Sequence, residues 1–204
     1  MIIELFGLPG SGKTTLAKTI EARTDFRVAK VSSISELLLL NLVFLMKHPI
    51  RFAVMLWYII RNSPNRRLFY YKFMNLFLHH NAKYQKALRF QNAILDQGYF
   101  QNVLSVFERR LTLKELQRYV RFLVRPDMLV VLSVPQSVAQ ERVKQRWLPR
   151  QEFGDAYMKR WRDAVEMNNK LLKENIDKFG VKHIVIDAAR SVNDVCEEML
   201  PILS

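Results

Sequence analysis

From Leu37 to Leu95 the chain contains no aspartate and no glutamate. Cysteine is nearly absent: the single one, Cys196, excludes an intrachain disulfide. It falls in a C-terminal helical pattern, where a lone thiol reads as a packed apolar side chain rather than a nucleophile. Long apolar runs are lacking too. Leu37–Met46 and Phe52–Ile60 are separated by Lys47-His48-Pro49 and Arg51. Each is shorter than the ~20 residues a membrane span requires, so a transmembrane hairpin is not expected. There is no repeat, no low-complexity tract and no flexible interdomain linker. No N-K-x-D occurs, and Asp96-Gln97-Gly98 is one residue short of D-x-x-G, which argues against a guanine-nucleotide switch. Neither the length nor a second ATPase signature suits a motor.

What remains is a chain of 204 residues with a 50% hydrophobic share, enough for one domain with room for an insertion or a lid. Lysine and arginine number 32 against 19 acids, a formal charge of +13 that favours anionic partners without naming them. Short apolar stretches alternate with helical ones, the pattern of a parallel α/β sheet. Strands are predicted near Ile2–Phe6, Arg27–Val31, Asn92–Asp96, Met128–Val134 and His183–Asp187. Helices are predicted over 13–23, 35–62 with a break at Pro49, 64–89, 112–123, 136–146, 155–179 and 192–203. Ser63 with Pro64, Thr112 with Glu115, and Ser191 with Asp194 supply start signals.

The segment Gly7-Leu8-Pro9-Gly10-Ser11-Gly12-Lys13-Thr14 fits G-x-x-x-x-G-K-[ST] at every required position, between a strand pattern and a helix pattern. Glycines let the backbone wrap an anion, and the peptide N–H groups and helix N-terminus then favour phosphate. Gly7, Leu8, Pro9, Gly10, Ser11, Gly12, Lys13, Thr14 and Thr15 form the candidate nucleotide-binding set. Lys13 would reach the β- and γ-phosphates, and Thr14 would offer its hydroxyl to Mg²⁺. The expected architecture is a three-layer P-loop NTPase fold of α/β class, with a five-stranded parallel sheet. A helical insertion, at about 37–91, lies between the second and third strands, and a lid at about 142–155.

Ala93-Ile94-Leu95-Asp96 reads as a strand ending in a carboxylate. Functional groups gather at such strand ends in open parallel sheets. Asp96 would hold Mg²⁺ or accept a proton from the attacking hydroxyl; the plainer alternative is an aspartate opening the turn at Gly98. Arg142 and Arg146 are spaced to share a helix face, and Pro149 puts Arg150 in the loop beyond. An arginine fork suits the spread charge of a phosphoryl group in transfer. Ordinary solvated arginines explain the same residues. Lys13, Asp96, Arg142 and Arg146 are the catalytic candidates.

These motifs, with Ile94-Leu95-Asp96, the segments 125–132 and 135–143, and Val185-Ile186-Asp187-Ala188-Ala189-Arg190-Ser191-Val192, resemble the P-loop nucleoside and nucleotide kinases. They are most similar to the thymidylate kinase-like branch. The resemblance covers about two thirds of the chain, at its two ends. It implies ATP and Mg²⁺ as cofactors, lid arginines at Arg142 and Arg146, and a base-side loop at Ala188, Ala189 and Arg190. It lapses in the middle: Gln97 stands where that branch carries arginine, and the acceptor segment is replaced by Ser32-Ser33-Ile34-Ser35-Glu36.

The acid-free stretch carries Lys47, Arg51, Arg61, Arg66, Arg67, Lys72, Lys83, Lys86 and Arg89, with His48, His79, His80 and a dense aromatic series. One reading is buried helices whose basic residues snorkel to solvent. The other is a cationic, aromatic surface that holds an anionic acceptor or rests on anionic lipid. The expected function is transfer of the γ-phosphoryl group of Mg-ATP to a small anionic acceptor: a nucleotide, a nucleoside or another phosphorylated metabolite. A nucleic-acid 5′ end is a less favoured acceptor, and Glu36 is an orienting candidate. The competing expectation is a nucleotide-dependent regulatory or membrane-associated binding protein. A strand pattern opening at Ile2 leaves no room for a leader, so a cytoplasmic protein is expected, with peripheral contact at the inner membrane surface as an option.

Overall fold

The computed structural model describes residues 1–144 and 154–203. Five strands, β1 (Ile2–Gly7), β2 (Arg27–Val28), β3 (Ala93–Leu95), β4 (Met128–Ser133) and β5 (His183–Asp187), form one parallel sheet in the order β2-β3-β1-β4-β5. Alternation along β1 and β4 sets the layers. Ile3, Leu5, Met128, Val130 and Leu132 face one side, packing with Leu16 and Ile20 of α1 (Lys13–Arg23). Phe6, Leu129 and Val131 face the other, against the remaining helices. The three-layer α/β fold and its five-stranded parallel sheet match the sequence reading.

Between β2 and β3 run α2 (Ile34–Lys47), α3 (Pro49–Arg61), α4 (Arg66–Lys72), a π-helical segment (Phe73–Leu78) and α5 (His79–Ala87). α2 and α3 bend by 116° at His48-Pro49, since proline withholds the N–H that a continuous helix needs there. Leu37, Leu40, Phe44, Met55, Ile59, Phe77 and Ala82 join the core on the Phe6 side of the sheet. A buried polar chain ties these helices together. Tyr99 Oη donates to Asn81 Oδ1 (2.8 Å), Asn81 Nδ2 to Asn41 Oδ1 (3.2 Å), and Asn41 Nδ2 to Leu78 O (2.9 Å). Among the described residues no single helix is long and apolar enough to cross a membrane.

Beyond β3 follow α6 (Asn102–Ser105), α7 (Leu113–Val120), α8 (Gln136–Lys144), α9 (Asp155–Glu174), a 3₁₀ turn (Ile176–Phe179) and α10 (Val192–Leu203). Thr112 and Glu115 form the expected capping box of α7, and Ser191 Oγ accepts from Asp194 N. Ser63 does not cap α4. Its hydroxyl donates to Ile59 O at the end of α3, and Asn65 Oδ1 takes over as cap, accepting from Leu68 N. The predicted helix over 64–89 is three segments, because its middle turn widens to a π-helix, and the predicted strand over 27–31 keeps only two residues. Arg146, Arg150 and most of the expected lid lie outside the described residues.

Candidate active site

The Gly7–Thr14 loop leaves the C-terminal end of β1, which is flanked by β3 and β4, and runs into α1. Ser11 N donates to Leu8 O (3.0 Å) and Leu16 N to Gly12 O (2.9 Å), closing the turn. Gly10 and Gly12 hold φ of 88° and 90°, a region costly for side-chain-bearing residues. A Cβ at Gly10 would also stand 2.3 Å from Ala139 O, so the loop lies directly on the backbone of α8. Lys13 is buried, its Nζ donating to Gly7 O (2.9 Å), Leu8 O (2.9 Å) and Ser11 Oγ (3.2 Å). Burial lowers its pKa to about 7, with the Asp96 charge working in the opposite direction.

Asp96 sits just past the end of β3, beside the first turn of α1. Its Oδ2 accepts from Thr14 Oγ1 (3.3 Å) and its Oδ1 from Lys83 Nζ of α5 (2.7 Å). Burial would raise the pKa of this carboxyl. Lys83, the Thr14 hydroxyl and His80 outweigh burial and hold it below the usual range. Thr14 and Asp96 thus bring hydroxyl and carboxylate oxygens together, the hard donors that Mg²⁺ prefers. Among the described residues no cluster of three His, Cys, Asp or Glu side chains offers a competing metal site. The donor set would suit a magnesium ion held by the Thr14 hydroxyl and the Asp96 carboxylate.

A cleft of about 490 Å³ opens beside the loop, lined by Gly10–Thr15, Gln97, Arg142, Ala188 and Arg190. The loop, the arginine of α8 and the turn after β5, far apart in sequence, meet here. Arg142 reaches this cleft from α8. Its guanidinium donates to Ala188 O (3.1 Å) and Ala189 O (3.3 Å), lying along the turn after β5. Arg190 donates to Asp187 O and pairs with Glu198 of α10.

Three features were not singled out in the sequence. Lys83 was one basic residue among nine, although His79, Lys83 and Lys86 recur at a spacing that gives them one helix face. Glu4 is an acid in the middle of an apolar strand, a signal visible in Ile2–Phe6. It is buried, and burial raises its pKa to about 8 although the backbone amides of Gly98 to Gln101 pull the other way. Its Oε1 accepts from Gln101 N (3.1 Å), while Gln101 Oε1 accepts from Gly7 N (3.3 Å). Glu4 and Gln101 therefore brace the turn after β3 against the phosphate loop.

The positive charge of the acid-free stretch is partly neutralised from outside it. Lys72, fully buried, pairs with Glu108 (2.6 Å), Lys83 with Asp96, and Lys86 with Glu36 (2.7 Å). Lys86 and the Ser32 amide bring Glu36 down to about 2, so that carboxylate closes the end of α5 onto the turn after β2. Arg51 of α3 lies close enough to Tyr84 and Tyr99 for its charge to act on both.

No protein-family model and no curated protein matches the chain. Solved structures do. Deoxyadenosine kinase from M. mycoides with bound dATP aligns over 100% of this chain and 99% of its own, with a TM-score of 0.63 and 17% identity. The same enzyme with products dCMP and a flexible dCDP bound gives a TM-score of 0.57 and 16% identity over 100% of this chain and 98% of that one. At such identities the likeness is one of architecture: the chain has the fold of a P-loop nucleoside kinase.

Proposed function

We propose that the chain is a phosphotransferase that moves the γ-phosphoryl group of Mg-ATP to an oxygen of a small anionic acceptor. One observation carries this reading: Thr14, Asp96 and Lys83 form a continuous chain of contacts beside a phosphate-binding loop. A protein that only held Mg-nucleotide would use the carboxylate, but it has no evident use for a second lysine at that place. Thr14 and Asp96 would hold Mg²⁺, which would screen the phosphate oxygens when bound.

Lys13 would exchange its carbonyl partners for the β- and γ-phosphates, regaining a full charge as it does so. Asp96, with its pKa held down, is a weak base. It suits orientation of the acceptor hydroxyl and late receipt of its proton, which is all a loose transfer to phosphorus demands. The acceptor oxygen bonds to phosphorus, the bond to the β-phosphate oxygen breaks, ADP leaves, and the acceptor proton passes to Asp96. Arg142 and the Ala188–Arg190 turn would border the base.

Lys83 and Lys86 would supply the positive charge for an acceptor phosphate entering between α5 and the turn after β3. The sequence motifs at the two ends of the chain resemble the thymidylate kinase-like branch. Gln97 and the rebuilt segment after β2 favour an acceptor other than thymidylate. The test is acceptor-dependent ADP release from Mg-ATP across nucleosides, nucleoside monophosphates and sugar phosphates. One class should drive release, and Asp96→Asn should lower kcat by about 10²–10⁴. Binding of Mg-ATP with no release across the panel would turn the reading to a regulatory binding protein.

A further inference from the structure

The burial of α2 and α3 is one-sided in an unusual way. Leu37, Leu40 and Phe44 enter the core, while Leu38, Leu42 and Leu45 on the same helix stay exposed. On α3, Met55 and Ile59 are buried, while Ile50, Trp57 and Ile60 face outward. Met46, 76% exposed, and Ile50, 72% exposed, flank the 116° bend together with Lys47 and Arg51. Scattered apolar side chains on a surface need no explanation, but two continuous apolar stripes meeting at a corner do.

The surroundings of this face are predominantly positive. No carboxylate occurs from Leu37 to Leu95, and the one acid of α2, Glu36 in its first turn, is paired with Lys86 at the end away from the bend. At the far end of α3, Arg61 lies 5.7 Å from the Trp57 ring centroid. There a cleft of about 720 Å³ is lined by Trp57, Tyr58, Arg61, Arg118 and the Arg109–Glu115 ion pair, which leaves Arg61 and Arg118 to face an anion. A tryptophan beside arginines, bordering an apolar stripe, suits the boundary between acyl chains and phosphate headgroups.

We propose that the α2–α3 corner is a docking surface for an anionic lipid bilayer. Met46 and Ile50 enter the headgroup–acyl boundary, and the Arg61–Arg118 cleft takes a lipid phosphate. A second copy of the chain suits the face less well. Across a two-fold axis Lys47 and Arg51 would meet their own copies, and like charges so placed oppose association. A bilayer carrying negative charge turns the same residues into attractions, each Lys or Arg near the surface being worth about fivefold in affinity. The proposal goes beyond the kinase reading and does not depend on it.

The experiment is co-sedimentation of the full chain with phosphatidylglycerol–phosphatidylcholine vesicles and with phosphatidylcholine vesicles alone. Binding is expected to the first only, and to weaken at least tenfold in about 0.5 M salt. Met46→Glu with Ile50→Glu should cut partitioning by about tenfold or more, because each substitution replaces an inserted apolar group by a charge of the lipid's own sign. Arg61→Glu with Arg118→Glu should do the same from the cleft side. All four positions are exposed, so melting temperatures should stay at the wild-type value. Lys13→Ala should bind vesicles as the wild type does, which separates this result from any failure of the kinase assay. No binding to anionic vesicles, or equal binding by the Met46/Ile50 variant, overturns the proposal. A dimer that this variant dissolves, without vesicle binding by the wild type, overturns it in favour of a second copy.

Discussion

Nucleotide binding should take up a proton near neutral pH, and Lys13 is the reason. Its ammonium is buried on two carbonyls and a hydroxyl, and its pKa lies at about 7 rather than 10.5. A triphosphate against it would restore the charged form. Below about pH 7 the lysine is already charged and binding needs no proton; above it each binding event must supply one. Affinity should therefore fall by about fivefold from pH 7 to 8 and about fiftyfold from pH 7 to 9, or roughly 1 and 2.3 kcal/mol. Calorimetry with Mg-ATP, in two buffers of different ionisation enthalpy, reads both the affinity and the protons taken up. About half a proton is expected near pH 7 and about nine tenths near pH 8. Lys13→Met isolates the contribution, since above pH 7 its profile should be flat. If wild type and Lys13→Met follow the same pH dependence, the buried lysine does not set the affinity and the reasoning fails.

Other outcomes follow from neighbouring contacts. Glu4 has its folded pKa raised from 4.5 to about 8, so its stabilising contribution is full below about pH 4.5 and is lost as pH rises through 8. Glu4→Gln keeps an acceptor for Gln101 N and should gain up to about 4 kcal/mol over wild type near pH 8, measured by urea unfolding across pH. An equal slope in both proteins would refute this. Lys72→Ala takes the ammonium from the Glu108 carboxylate, which keeps Tyr157 Oη, and from the carbonyls of Asn62 and Val106, and should cost about 3–5 kcal/mol in the same assay. A loss below about 1 kcal/mol would mean that water replaces the ammonium without penalty. Arg142→Ala should weaken nucleotide binding about tenfold and leave kcat nearly unchanged, because its donors lie on Ala188 and Ala189. A fall in kcat of about a thousandfold would instead give it the transition-state role expected from sequence.

The parts of the site legible in sequence are those whose cause is local. The phosphate loop is contiguous, and its glycines and lysine announce themselves. Asp96 ends an apolar strand, and strand ends are where a parallel sheet presents its groups. Thr112–Glu115 is a cap that closes within four residues. Lys83 was visible as a charge but not as the partner of Asp96, because that pairing depends on how α5 docks against the sheet. Arg142 was found, whereas its direction depends on the turn after β5 lying within reach. Ser63 was read as the cap, but the last turn of α3 claimed its hydroxyl, and Asn65, two residues on, caps α4 instead. The π-helical segment has no residue signature, since its wider hydrogen-bond spacing follows from tertiary packing.

That segment has a consequence for the chemistry. Phe73–Leu78 sits between α4, whose Lys72 is locked to Glu108, and α5, which carries Lys83 and Lys86. Each residue of a helix turns the chain by about 100°. Excising a single residue from the wide turn would swing both ammonium groups off Asp96 and Glu36 while leaving every strand intact. The angular phase of one rod, set by a surplus residue far from any phosphate, thus decides which side chains greet the incoming molecule.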